Sequence, residues 1–416
     1  MLNRRDATLL LAAAAVPGLA WAQGAAAPTF FYASTGPDLT LYHLDVAQAV
    51  LNRKSAVILP ANIQYAWPHP SKKYLYVASS NVTVSGSLAV KPGTKHYVTT
   101  FAVNAADGTL TPTGPALQLN SRPIYISVDE AGHYLFAAYN NPSNVSVHRI
   151  GANGLPGDAI RQRHKLDVGI FAHQVRASHA AVILVTRGND ATPTTPEDPG
   201  AIKLFRFQDG QLTNLQSVAP GRGLGFGPRH LDFHPRLPFV YVSMERERQL
   251  QVFERNPDGA LTPEPVFTRD LLKDSRGHKP GQVSGPIHVS ADGRFVYVAN
   301  RNSATADIAG KSVSTGGENN IAVFAIDAKS GEPTLIQHAD IPAFDVRTFT
   351  IDSTGQLLIT ASTEPMLVHQ GTGLATVSAS LGLFRIARDG KLAFARKLDI
   401  DTRTGNQIWS GTLTMG

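Results

Sequence analysis

The stretch Gly227-Pro228-Arg229-His230-Leu231-Asp232-Phe233-His234-Pro235, continued by Phe239-Val240-Tyr241-Val242-Ser243-Met244-Glu245, decides the fold. Its first part reads as an extended segment after a glycine-rich loop. A turn from Pro235 to Pro238 leads into a run of aromatic and β-branched residues, the composition of a buried strand. Gln249 to Glu254 then alternates as a third strand, and Asn256-Pro257-Asp258-Gly259 is a turn by composition. Residues from Leu261 onward are expected to supply a fourth, outer strand. The unit is a simple antiparallel meander.

The same grammar extends in both directions. Runs like the one at Phe239 also begin at Phe30, Tyr74, Tyr134, Val182, Phe295 and Leu357, with successive starts 44 to 62 residues apart. Helical spacing at i, i+3, i+4, i+7 is nearly absent, so the chain is all-β. A repeat of this length signals blades of four antiparallel strands arranged as a seven-bladed β-propeller. The chain enters at a second strand, Thr29 to Ser34, and ends in Ile408-Trp409-Ser410-Gly411-Thr412-Leu413 with no partner after it. This last segment is expected to complete the first blade and close the ring, which removes exposed sheet edges. Each blade interface has its own core, so one propeller domain over residues 23–416 uses the whole remaining chain.

The N-terminus carries Asn3-Arg4-Arg5-Asp6, an alanine- and leucine-rich stretch to Leu19, and Ala20-Trp21-Ala22. Residues 1–22 therefore read as a cleaved twin-arginine export signal, too short to span a bilayer, and the expected location is the periplasm. The chain has no cysteine, which excludes disulfides, thiolate chemistry and lipid attachment through cysteine. Its formal charge of +6 falls to +5 without the signal, since Arg4, Arg5 and Asp6 leave with it. With no lysine- or arginine-rich run, nucleic acid is not an expected partner, and neither is a membrane after signal cleavage. A small anionic or polyhydroxylated molecule is, and a closed propeller is expected to be a monomer.

Six residues past the start of its run, blade five carries Glu245 and blade six carries Arg301. Starts of inner strands offer His173, Arg229 and Arg347. Insertions at 80–95, 191–200, 302–319 and 362–380 fall between second and third strands, on the same face as these groups. Equivalent positions in a radial repeat surround one axis, so the five residues are expected to share a central pocket. His230, beside Arg229, joins Arg347 as a substrate-binding candidate. Other signals are weaker. The glycine-rich segment 221–227 precedes a strand and lacks the strand-loop-helix context of a nucleotide loop. His230 and His234 stand four apart on a strand, which is not the helical zinc spacing, and Asp190, Asp307 and Glu318 show no calcium-loop pattern. Neither a metal nor an organic cofactor is expected.

Gly-Pro-Arg-His at 227–230, His-Pro at 234–235, Tyr-Val-Ser-Met-Glu at 241–245 and Val-Tyr-Val-Ala-Asn-Arg at 296–301 resemble the lactonase family of seven-bladed propellers. That family includes 6-phosphogluconolactonases and carboxy-muconate lactonizing enzymes, and the resemblance spans essentially all of the chain after the signal. It implies a catalytic set of a histidine, two arginines and a glutamate, carried onto His173, Arg229, Arg301 and Glu245. The chemistry asks for such groups independently. Opening a lactone needs water, a base to take its proton, and positive charge where the oxyanion grows. Either Glu245 or His173 can be the base. A glutamate between arginines stays ionised, which favours Glu245 as a water-orienting base. The expected activity is metal-independent hydrolysis of a sugar-acid lactone, an aldono- or aldarolactone in an exported protein, with 6-phosphogluconolactone also compatible. The alternatives are a cycloisomerase of a muconate-type diacid and a non-catalytic propeller that binds a glycan or protein.

Overall fold

The computed structural model describes residues 28–85, 88–178 and 181–415, and the expected export signal at 1–22 lies outside them. Seven antiparallel units follow one another around a ring, six of them four-stranded and the second with its outer edge split into Leu110–Pro112 and Leu117–Gln118, both paired with His96–Val103. Blade one is built from Thr29–Thr35, Asp38–Asp45 and Val50–Ile58, and its inner strand is Ser410–Thr414 from the other end of the chain. The expected closure is therefore present. Inner strands of the remaining blades are Asn62–Pro68, Pro123–Val128, Ala172–Ser178, Pro228–Phe233, Val283–Val289 and Val346–Ile351.

Seven apolar clusters fill the seven interfaces between neighbouring blades, and the period-two alternation of each second strand explains how. In blade one, Phe30 and Tyr32 face blade two, where they pack with Ile63 and Leu75, while Phe31 and Ala33 face blade seven, where they meet Ile359 and Leu381. A strand buried on both faces must be apolar throughout. This is why the recurring runs have no polar alternation.

A tyrosine latch reinforces four interfaces. The hydroxyl of Tyr32 donates to the carbonyl of Gly108 in the next blade, and Tyr76, Tyr241 and Tyr297 do the same to Gly154, Gly331 and Gly390. Each glycine caps an outer hairpin and lies against the aromatic residue that opens the run. At Gly331 the backbone has φ of +71°, and an added Cβ would stand 2.3 Å from the Phe239 ring. Gly331→Ala is expected to destabilise the protein by about 2–4 kcal/mol, combining left-handed strain with overpacking of a partly buried aromatic. Urea denaturation measures it; a change below 0.5 kcal/mol (~) would mean that the latch region yields freely.

Two features differ from the sequence reading. The outer strand of blade five is Phe267–Asp270, and Leu261 makes only an isolated bridge with Arg255. Prolines 263 and 265, which lack the N–H a ladder needs, delay the strand. The insertions of blades six and seven also form hairpins, Thr305–Ile308 with Lys311–Ser314 and Met366–Gln370 with Gly373–Val377. A parallel contact between Val313 and Leu367 joins them into one accessory sheet across two blades. Among the described residues no helix is long and apolar enough to cross a membrane.

Candidate active site

Six of the seven inner strands carry a β-bulge at matching positions. In blade four, Ala172 pairs with Thr186 and Gln174 with Val185, which leaves His173 as the extra residue. In the same way Arg229 is the extra residue of blade five and Arg347 that of blade seven. Gln64 and Ile124 occupy the position in blades two and three, and in blade six it falls within Gly285-Pro286. A bulge interrupts the ladder and re-aims a side chain. Here Gln64, Ile124, His173, Arg229, Pro286 and Arg347 all line one axial cavity.

Behind that wall lies a buried charge cluster. Glu245 follows the second strand of blade five, and Arg187 and Arg301 occupy the equivalent place in blades four and six. Glu245 Oε1 accepts hydrogen bonds from Arg229 Nη1 at 2.8 Å and Arg301 Nη2 at 2.9 Å, while Oε2 accepts from Arg187 Nε. Outward, Arg187 Nη2 reaches Asp190 at 2.5 Å and Arg301 Nη1 reaches Asp345 at 2.5 Å. The second Asp345 oxygen accepts the Thr363 hydroxyl at 2.7 Å. Burial alone would raise the Glu245 pKa, but Arg229, Arg187 and Arg301 overcome it and hold the carboxyl far below the usual carboxylate range. Burial pulls Arg229 down while Glu245 works against it, and a guanidinium so paired stays charged at neutral pH.

His173 has the opposite environment. It is buried, its ring stands edge-on to His230 with centroids 4.9 Å apart, and its Nδ1 has no hydrogen-bond partner. Burial first, then the positive field of Arg229 and Arg347 together with His230 and Arg187, pushes its pKa well below the ordinary 6.5. His230 is shifted the same way, by burial and then Arg229. Both rings are neutral at pH 7.

The structure thus brings His173, Arg229, His230, Glu245, Arg301 and Arg347 into one region of the axis. Glu245 and Arg301 are not on the cavity wall, however. They stand one layer behind it, with both Glu245 oxygens occupied by guanidiniums. Arg187, Asp345 and Arg122 belong to the same region and escaped the sequence reading. Arg187 sits six residues after Ala181, where the strand begins, so counting from Val182 misses it by one. Asp345 and Arg122 each immediately precede an inner strand, a place that the spacing of the apolar runs does not mark.

The axial cavity has a volume of only about 40 Å³, room for a water molecule but not a sugar ring. A groove of about 800 Å³ runs across blades two to four, lined by Asn120, Ser121, Asn140, Asn141, Ser143 and Phe171 among others. Arg122 lines both spaces. The arrangement offers a water-sized recess with a neutral imidazole and guanidiniums, which shares Arg122 with an amide- and hydroxyl-rich groove of ligand size.

Residues 30–369 match the family model described as lactonase, 7-bladed beta-propeller. The chain is 28% identical over 316 residues to a 6-phosphogluconolactonase of Cronobacter sakazakii, covering 76% of this chain and 81% of the relative. It is 26% identical over 301 residues to a 6-phosphogluconolactonase of Bacillus subtilis, covering 70% and 77%. Among solved structures, a periplasmic gluconolactonase of Pseudomonas aeruginosa superposes with a TM-score of 0.67 at 19% identity, covering 94% of this chain and all of that one. The family match extends over most of the ring and includes every residue of the charge cluster: the chain belongs to the lactonase family of seven-bladed β-propellers.

Proposed function

We propose that this protein hydrolyses a sugar-acid lactone at the axial cavity, with His173 as general base. The observation that carries the reading is the neutral His173 ring, with its Nδ1 unpartnered, in a water-sized recess beside Arg229 and Arg347. A water in the recess gives its proton to His173 as its oxygen attacks the lactone carbonyl, and the carbonyl oxygen becomes an oxyanion facing the guanidiniums. Collapse restores the carbonyl and breaks the ring C–O bond, and the imidazolium returns the proton to the leaving alkoxide. One lactone and one water become one hydroxy acid, with no other reactant. The cationic surroundings that make His173 a weak base also make its imidazolium a strong acid, which speeds the proton's return.

In this scheme Glu245 is a positioning residue. Its carboxylate holds Arg229, Arg187 and Arg301 at fixed angles and offsets part of their mutual repulsion, with three of its roughly four acceptor sites taken by guanidiniums. The polar groove suits a polyhydroxylated substrate. The expected export signal, together with the periplasmic gluconolactonase among the structural neighbours, supports action in the periplasm and favours an unphosphorylated aldono- or aldarolactone over a phosphorylated one.

The test is acid release from a panel of glucono-, glucaro- and 6-phosphogluconolactones followed in a pH-stat near pH 6.5, where spontaneous hydrolysis is slow. At least one lactone is expected to be opened with kcat/KM of about 10⁴ M⁻¹s⁻¹ or more, the ordinary range for an enzyme on its own substrate. Rates no faster than buffer on the whole panel, with turnover of a muconate-type diacid instead, would reject the proposal.

A further inference from the structure

Four arginines line the axial cavity, and their partners divide them sharply. Arg229 is paired with Glu245, and Arg176, farther along the axis, is paired with Asp232 at 3.4 Å. Arg122 and Arg347 have no carboxylate within ion-pair distance among the described residues. Among the described residues, the one side-chain hydrogen bond of Arg122 runs from Nε to the neutral Oε1 of Gln64 at 2.6 Å, with none from its terminal nitrogens, and Arg347 makes none. The nearby acids are already engaged, Glu245 by three guanidiniums and Asp345 by Arg301 and Thr363.

Two partly buried guanidiniums facing the same small space repel each other, and neither is ion-paired directly, although Asp345 and Glu245 offset part of the charge at Arg347 from longer range. Their repulsion is felt at Arg122, whose pKa burial and then Arg347 pull down to about 10. Such a pair is costly in the empty protein and is relieved by an anion between them. Carboxylates and phosphates offer the planar or triangular oxygen arrangement that a guanidinium fork binds best. The oxyanion of the reaction is transient and faces Arg229 as well, so it does not by itself account for two charges without a direct ion pair.

We propose that Arg122 and Arg347 form a clamp for a standing anionic group of the substrate, an exocyclic carboxylate or phosphate carried by the lactone in addition to its reacting ester. The clamp sits beside the groove as well as the axial cavity, since Arg122 lines both. An anion held there fixes the lactone carbonyl toward His173 and sets the preference for acidic over neutral lactones. For the identity of the ligand this inference rests on the lactonase reading.

The test is calorimetric binding of open-chain acids to the full chain, with gluconate as the singly charged probe, and glucarate and 6-phosphogluconate as probes carrying a second anion. At least one doubly anionic probe is expected to bind 10- to 100-fold (~) more tightly than gluconate, the magnitude of one to two charge-assisted hydrogen bonds. Which of the two binds better distinguishes a carboxylate from a phosphate. Arg122→Gln and Arg347→Gln are each expected to reduce that preference about tenfold, and Arg122→Lys, which keeps the charge without the fork, to retain part of it. Equal binding of all three acids by the wild type, which requires no variant to fold, overturns the clamp. A preference that survives both glutamine variants does the same. Lactone hydrolysis without an acid preference rejects the clamp alone, whereas an acid preference without hydrolysis of any lactone upholds the clamp and rejects the hydrolase.

Discussion

Glu245→Gln is expected to lower stability by about 3–5 kcal/mol and to abolish most activity with it. The substitution is nearly isosteric, so the effect comes from charge and hydrogen-bond polarity. A carboxylate that accepts from Arg229, Arg301 and Arg187 becomes an amide whose NH₂ must face at least one of those donors. Three guanidiniums then remain buried around a neutral group, and removing one partner of a buried ion pair typically costs this much. For a chain of this size the thermal midpoint should fall by roughly 4–6 °C. The pH dependence follows from the sign of the shift. The folded-state pKa of Glu245 is depressed below the ordinary 4.5, so its contribution is complete above that value and disappears as pH falls toward the folded pKa. The difference between wild type and variant should therefore be constant from pH 7 to 5 and narrow below about 4.5. Thermal scans of both proteins across this range measure it; a variant as stable as wild type at pH 7 would show that the arginines do not depend on Glu245.

His173→Asn is expected to separate catalysis from stability. Among the described residues the His173 side chain makes no hydrogen bond, and its Nδ1 is unpartnered, so the loss of stability should stay within about 1 kcal/mol. Activity should drop by about 10² to 10⁴, the usual contribution of a general base. The wild-type pH profile provides an independent signature. A base works in its unprotonated form, and the His173 pKa is pushed well below 6.5 by burial and neighbouring positive charge. The wild-type kcat/KM should hold its plateau through pH 6.5 and begin to fall only at more acidic values. An acid limb centred at or above the ordinary histidine value would assign the base to a different, less buried group.

The ring itself was legible because its physics is local. Seven runs of aromatic and β-branched residues mark strands buried on both faces, and their spacing leaves little choice of architecture. The closing strand could be expected because one end of the chain lacked what the other supplied. Arg301 and Glu245 were legible for a related reason, since a fixed offset from a run places a residue at a fixed place around the axis. That offset is lost where the strand opens on a residue too small to stand out as part of the run. Ala181 opens the blade-four strand, so Arg187, its sixth residue on, went unnoticed although it binds Glu245 directly.

Roles were less legible than positions. Sequence placed Glu245 among arginines and gave it the task of orienting water, but the number of guanidiniums sharing its two oxygens depends on side-chain geometry across blades 56 and 58 residues apart. The bulges were also invisible, because a bulge is a relation between two strands and leaves no mark on either one alone. Yet the bulges are what aim His173, Arg229 and Arg347 into the cavity. The accessory sheet of blades six and seven escaped notice for the same reason, since it arises from pairing between two separate insertions.

The most direct test of the whole account is a pH-stat comparison of wild type and His173→Asn on the best lactone of the panel, with both proteins shown to melt at the same temperature. The account predicts wild-type acid release far above the buffer rate and a variant at least 100-fold (~) slower. A well-folded variant that opens the lactone as fast as wild type would contradict it.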